Sequence, residues 1–155
     1  MTPELPWVGG CNCGAVRYCV VRTPLTVYIC HCHLCQKRSG SAFSQSMVFP
    51  YDAVEFTAGD PQCTERVSAD GARSTLYMCG ACYSRIYTRW KARPGLNLRA
   101  STLDETDWVR PVAQFWTSSA QAWAIVPGIL SYAEQPKASD YADMLDAWKR
   151  SAGAD

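Results

Sequence analysis

Seven of the nine cysteines in this 155-residue chain fall into three tight clusters: Cys11 and Cys13, then Cys30, Cys32 and Cys35, then Cys79 and Cys82. A C-x-C pair on extended backbone places both thiols on one face, because side chains alternate with period two. A C-x-x-C turn aims two sulfurs at one point. Soft thiolates grouped in this way favour zinc, as closed four-thiolate sites or as sites that keep an open position. The competing reading is a disulfide scaffold, given the cysteine density. Against it stand the odd cysteine count and the small entropy gained by closing loops of two or three residues. An iron–sulfur cluster is the lesser metal alternative.

The opening stretch MTPELPWVGGCNCG carries neither a basic start nor an apolar run of the signal-peptide kind, so a cytoplasmic location is expected. At this length a single domain over 1–155 is expected, with enough residues for its own core. The 48% hydrophobic and 12% aromatic content supports a folded globular protein. No stretch reaches the roughly 20 apolar residues of a membrane helix, so no membrane role is expected. The formal net charge of +1 would become about −2 once seven thiolates hold two zinc ions. With basic residues scattered, no nucleic-acid partner is expected on electrostatic grounds. The oligomeric state is left open.

The elements that must position the thiols are mostly short and β-like. Strands are predicted over 15–21, 26–30, 44–49, 54–57, 75–79, 85–90, 96–100 and 112–116. Turn signals separate them: Thr23-Pro24, Pro50-Tyr51-Asp52, Ala58-Gly59-Asp60-Pro61, Asp70-Gly71 and Arg93-Pro94-Gly95. The spacing predicts a mainly β, mostly antiparallel fold. A short helix is predicted over 34–39, ending at Gly40. A second is predicted over 140–150, capped by Ser139 or Asp140, within a C-terminal helical extension of about 136–152; Tyr141, Met144, Leu145 and Trp148 share one face. Cys11 and Cys13 then precede the first predicted strand, Cys30 ends the second, and Cys79 and Cys82 form a turn between later strands.

Four stretches carry a family resemblance: GGCNCGAVRY (9–18), CHCHLCQKRSGSAF (30–43), YMCGACYSRIY (77–87) and STLDETDWVRPVAQFWTSSAQAW (101–123). In order and spacing they resemble the glutathione-dependent formaldehyde-activating enzymes, a family that includes centromere protein V, over about 7–126. The resemblance implies an Mss4-like β-tent. It implies a closed structural zinc on Cys11, Cys13, Cys79 and Cys82, and a second, three-thiolate zinc on Cys30, Cys32 and Cys35. It also implies carbon–sulfur lyase chemistry, with a small thiol such as glutathione and an aldehyde-like electrophile as partners. The alternative is a non-catalytic, zinc-stabilised binding module of the Mss4 or centromere protein V type. Two positions depart from the pattern: Tyr83 stands where members carry Gly, and Gln114 where many carry His.

Among other residues, Lys37 and Arg38 follow the three-cysteine cluster and are candidates to hold a substrate carboxylate, with a solvated helix end as the plain alternative. Trp116 is a candidate pocket wall, with core packing as the alternative. His31 and His33 are the only histidines; His31 is read as a packing or supporting residue and His33 as an exposed turn residue or a proton carrier. Cys19 and Cys63 are read as structural or incidental. Gly9, Gly10 and Gly14 are read as turn glycines and Asp104 as a turn cap. No general acid or base is assigned.

Overall fold

The computed structural model describes residues 2–67, 71–91, 93 and 95–152. Asp70 and Pro94, members of two predicted turns, lie outside them. In chain order the strands are β1 Trp7–Gly10, β2 Arg17–Val20, β3 Thr26–Cys30, β4 Ser44–Phe49, β5 Val54–Ala58 and β6 Gln62–Val67. They continue as β7 Arg73–Met78, β8 Arg85–Trp90, β9 Leu96–Arg99, β10 Ala113–Phe115 and β11 Leu130–Tyr132. Helix α1 spans His33–Ser39 and α2 spans Asp140–Ala152. The protein is mainly β, as its sequence predicts. Among the described residues, no helix is long and apolar enough to cross a membrane.

The chain forms two compact units, each carrying one cysteine cluster. The first is built from Leu25–Ser46 and the chain from Val109 onward. Its strands run in the order β11-β10-β3-β4. Here the antiparallel expectation gives way, because β10 pairs in parallel with both β3 and β11. Long connections, rather than hairpins, deliver these strands, which is what parallel pairing requires. Val27, Ile29, Ala113, Phe115, Met144 and Trp148 are buried. Met144 and Trp148 lie four apart on α2, so they share one face of the helix. Gly40 ends α1 in the left-handed region at φ 63°, its N–H bonded to the carbonyl of Gln36 at 2.9 Å. Glycine takes this conformation without the Cβ penalty.

The second unit comprises Pro3–Pro24 and Met47–Trp108. It holds the antiparallel sheet β1-β2-β5 and the antiparallel succession β9-β8-β7-β6. Tyr18, Val20, Met47, Phe49, Ile86 and Leu98 form its buried interior. Gly9 and Gly10 lie within β1, not in a turn. A Cβ on Gly9 would sit 2.4 Å from the carbonyl oxygen of Thr102, and one on Gly10 would sit 2.3 Å from that of Val16. Close backbone approach, not turn conformation, demands glycine there.

Candidate metal centres

The four-thiol cluster is built from two turns. Cys11 directly follows β1; its N–H bonds to the carbonyl of Val16 at 3.0 Å, and its Sγ accepts from the Val16 N–H at 3.2 Å. Cys79 follows β7, its N–H bonded to the Ser84 carbonyl at 3.0 Å and its Sγ accepting from the Ala81 N–H at 3.4 Å. These folded-back N–H groups orient the sulfurs and offset thiolate charge. The Sγ atoms of Cys11, Cys13, Cys79 and Cys82 all lie within 4.8 Å of one another. Cys11 to Cys13 is 3.5 Å and Cys13 to Cys79 is 3.7 Å. Both exceed a disulfide length of about 2.05 Å, and they match the edge of about 3.8 Å of a tetrahedron with metal–sulfur bonds of about 2.3 Å. The donor set therefore fits a soft tetrahedral ion. The Ser84 hydroxyl and backbone N–H hold the Cys82 thiol down at about 5, while Cys13 is pushed up to about 11 because its bond to the Ala15 backbone is outweighed by the neighbouring thiols of Cys11 and Cys82.

The three-thiol cluster arises where β3 turns into α1. Cys30 is the last residue of β3, and Cys32 is the N-cap of α1, its Sγ accepting from the Cys35 N–H at 3.4 Å. One helical turn brings Cys35 to the same end, so the three Sγ atoms lie within 4.8 Å of one another. Cys30 is buried, Cys32 and Cys35 partly so. The thiols of Cys32 and Cys35, together with burial, hold the Cys30 thiol far above its ordinary range. Three such groups can ionise together only beside a cation, so this donor set also fits a metal. Among the described residues no fourth His, Cys, Asp or Glu joins them.

The loop between Cys30 and Cys32 is pinned at His31. Its N–H bonds to the carbonyl of Phe115 at 2.9 Å, and its carbonyl accepts from Gln36 Nε2 at 2.6 Å and Ser119 Oγ at 3.2 Å. The ring is fully buried, edge-on to Phe43 at 5.5 Å, with Nε2 3.3 Å from Gln114 Oε1. The Gln114 amide can point only one way: its Nε2 donates to the Val126 carbonyl at 2.7 Å and to Ser131 Oγ at 2.8 Å, and its Oε1 accepts from the Val126 N–H at 3.1 Å. His31 Nε2 therefore donates toward Gln114, and Nδ1 has no hydrogen-bond partner in its buried site. Gln114 is thus a fixed structural anchor.

Lys37 and Arg38 are exposed in the last turn of α1, at the opposite end from the Cys32 cap. Trp116 is half-buried and packs against the buried group containing Cys30, alongside Cys32 and Cys35. It occupies the left-handed region at φ 59°. His33 is exposed at the start of α1. Cys63 is exposed on β6, and Cys19 lies on β2 with its Sγ 3.9 Å from Glu55 Oε2. Asp104 does not cap a turn with its carboxylate; it makes a bidentate pair with Arg17. Gln36 and Ser119, which hold the His31 carbonyl, were not singled out in the sequence. The only local sign for either was an amide or a hydroxyl inside a resembling stretch.

No curated protein matches the chain in sequence. A solved structure of a Rhodobacter sphaeroides protein superposes with a TM-score of 0.50 at 14% identity, covering 81% of this chain and 98% of that one, a likeness of fold alone. The family model for the glutathione-dependent formaldehyde-activating enzyme matches residues 6–119, which include all seven clustered cysteines. By that match, which spans most of its length and both thiol clusters, the chain belongs to the glutathione-dependent formaldehyde-activating enzyme family.

Proposed function

We propose that this protein is a carbon–sulfur lyase-type enzyme that makes or breaks the adduct between a small thiol, such as glutathione, and an aldehyde. In this reading Cys11, Cys13, Cys79 and Cys82 hold a structural zinc. Cys30, Cys32 and Cys35 would hold a second zinc, with three protein donors where the other set has four. The observation that carries it is the contrast between a complete set of four thiols and a set of three with no fourth protein donor among the described residues. Zinc bound there would supply positive charge that favours the thiolate form of the incoming thiol.

The chain's own residues then hold and orient. The β3–α1 junction presents the three sulfurs at one end of α1. His31, Gln36, Gln114 and Ser119 fix the backbone between Cys30 and Cys32. Trp116 covers apolar parts of the substrate, and Lys37 or Arg38 pairs with a carboxylate of the thiol. In the forward direction the thiol loses its proton, sulfur bonds to the carbonyl carbon, and the carbonyl oxygen takes a proton. A cytoplasmic setting, one Mss4-like zinc domain and no nucleic-acid partner belong to the same reading. A non-catalytic module has no use for a donor set left one ligand short, so the three-thiol set favours the enzyme.

The test is turnover of glutathione–aldehyde adducts by the zinc-loaded protein and by Cys32→Ser. The expected result is activity in the parent and its loss in the variant, with the thermal midpoint within about 3 °C. Full activity in Cys32→Ser would reject the site assignment.

A further inference from the structure

The family match ends at residue 119, yet the chain beyond it builds part of the surroundings of the three-thiol cluster. In β11, Tyr132 is set opposite Phe115 by parallel pairing, and β10 sets Phe115 opposite Cys30. From α2, Met144 enters one buried group with Cys30, Ala113 and Phe115. Its carbonyl accepts from Thr26 Oγ1 at 3.4 Å, which ties α2 to the strand that ends in Cys30. Four aromatic side chains pack against this group while keeping part of their surface open: Tyr28, Trp116, Tyr132 and Tyr141. Cys32 and Cys35 are its other half-open neighbours of note.

The aromatic surround is held in place. Tyr28 stacks on Phe115 at 4.2 Å, and Tyr132 meets the same ring edge-on at 5.9 Å. The Tyr141 hydroxyl accepts from Gln135 Nε2 at 3.2 Å, and the Trp116 backbone N–H bonds to the carbonyl of Glu134 at 3.3 Å. Met144 and Phe115, at 0% and 2% exposure, are core. The four aromatics are not sealed in that way. A one-carbon aldehyde has almost no apolar surface to present to such a surround, whereas each additional buried methylene strengthens binding by about fourfold.

We propose that residues 130–144 make the three-thiol site selective for adducts of aromatic or long-chain aldehydes over the formaldehyde adduct, with Tyr132 and Tyr141 as specificity-determining residues. The inference rests on the thiol-adduct reading given above. The chemistry is unchanged by the larger group: the sulfur–carbon bond forms as the carbonyl π bond breaks, the thiol proton ends on oxygen, and nothing is oxidised or reduced.

The test separates binding from turnover in the full-length, zinc-loaded protein. S-methylglutathione and S-benzylglutathione serve as unreactive probes, with dissociation constants from calorimetry. Turnover is measured with glutathione adducts of formaldehyde, hexanal and benzaldehyde. The benzyl conjugate should bind at least tenfold more tightly than the methyl conjugate. Tyr141→Ala and Tyr132→Ala should each erase most of that ratio by weakening the benzyl conjugate far more than the methyl conjugate, and Tyr141→Phe should keep the ratio. A ratio near one in the parent, a ratio untouched by both alanine variants, or no binding of either conjugate overturns the proposal. Benzyl preference without turnover of any adduct upholds the selective aromatic surround and removes the enzyme reading. Turnover that is flat across the three aldehydes does the reverse.

Discussion

The two thiol clusters use the same donor and differ in what they connect. The four-thiol set joins turns distant in sequence, with Cys13 and Cys79 separated by 66 positions. The three-thiol set lies within the six residues from Cys30 to Cys35. A metal that bridges distant segments closes a long loop and removes much chain entropy from the unfolded state, whereas one that bridges neighbours removes little. The first arrangement is therefore suited to holding a fold together. A metal held by the second would add little to the fold.

The largest expected effect tests the stapling side of this contrast. Cys79→Ser should release metal from the four-thiol set and lower the thermal midpoint by more than about 10 °C, or abolish the cooperative transition, because structural zinc contributes on the order of 10 kcal/mol of apparent folding energy. Circular dichroism with metal analysis checks it. An unchanged midpoint with full metal content would remove the structural role.

A smaller effect belongs to the other cluster. His31→Phe keeps an aromatic ring beside Phe43, at a somewhat larger volume, but removes the bond to Gln114, whose Oε1 remains satisfied by the Val126 N–H. Metal affinity of the three-thiol set, read by chelator competition, should fall about tenfold, with the four-thiol set unaffected. Equal losses at both sets would show general destabilisation instead of positioning.

The smallest effect is a gain. Tyr83, 73% exposed, sits at φ 60° in the turn that carries Cys79 and Cys82, at the position where the resemblance has Gly. Left-handed backbone costs a non-glycine residue about 1–2 kcal/mol, and the greater unfolded-state freedom of glycine returns part of that. Tyr83→Gly should raise the thermal midpoint by about 2–3 °C. A lower midpoint would mean that the tyrosine ring contributes more than its backbone costs.

Much of this architecture was legible because its signals are local. The strands predicted over 26–30, 44–49 and 85–90 coincide with β3, β4 and β8, where apolar and β-branched residues recur at short period. Both helices begin within one residue of expectation. The cysteine spacing conveyed each turn because the chain itself brings the sulfurs together. Three strands were missed for identifiable reasons. In β6 the segment Gln62–Val67 is almost wholly exposed and shows no apolar alternation. In β1 the pair Gly9 and Gly10 reads as a turn until the crowding backbone of Thr102 and Val16 is seen. β11 is three residues long and gains its place only by pairing with β10. The support of His31 was hidden for a related reason: Gln114 and Ser119 reach it from 83 and 88 positions away. No local pattern encodes such a meeting.

The central claim is that the three-thiol set holds an ion whose fourth position accepts an outside thiol, while the four-thiol set does not. Cobalt(II) replacing zinc reports this directly, because each bound thiolate adds to the sulfur-to-cobalt charge-transfer absorption. Titrating glutathione into the cobalt-loaded protein should increase that band saturably, and the increase should vanish in Cys32→Ser. A band that does not respond to saturating glutathione in the parent protein would contradict the account.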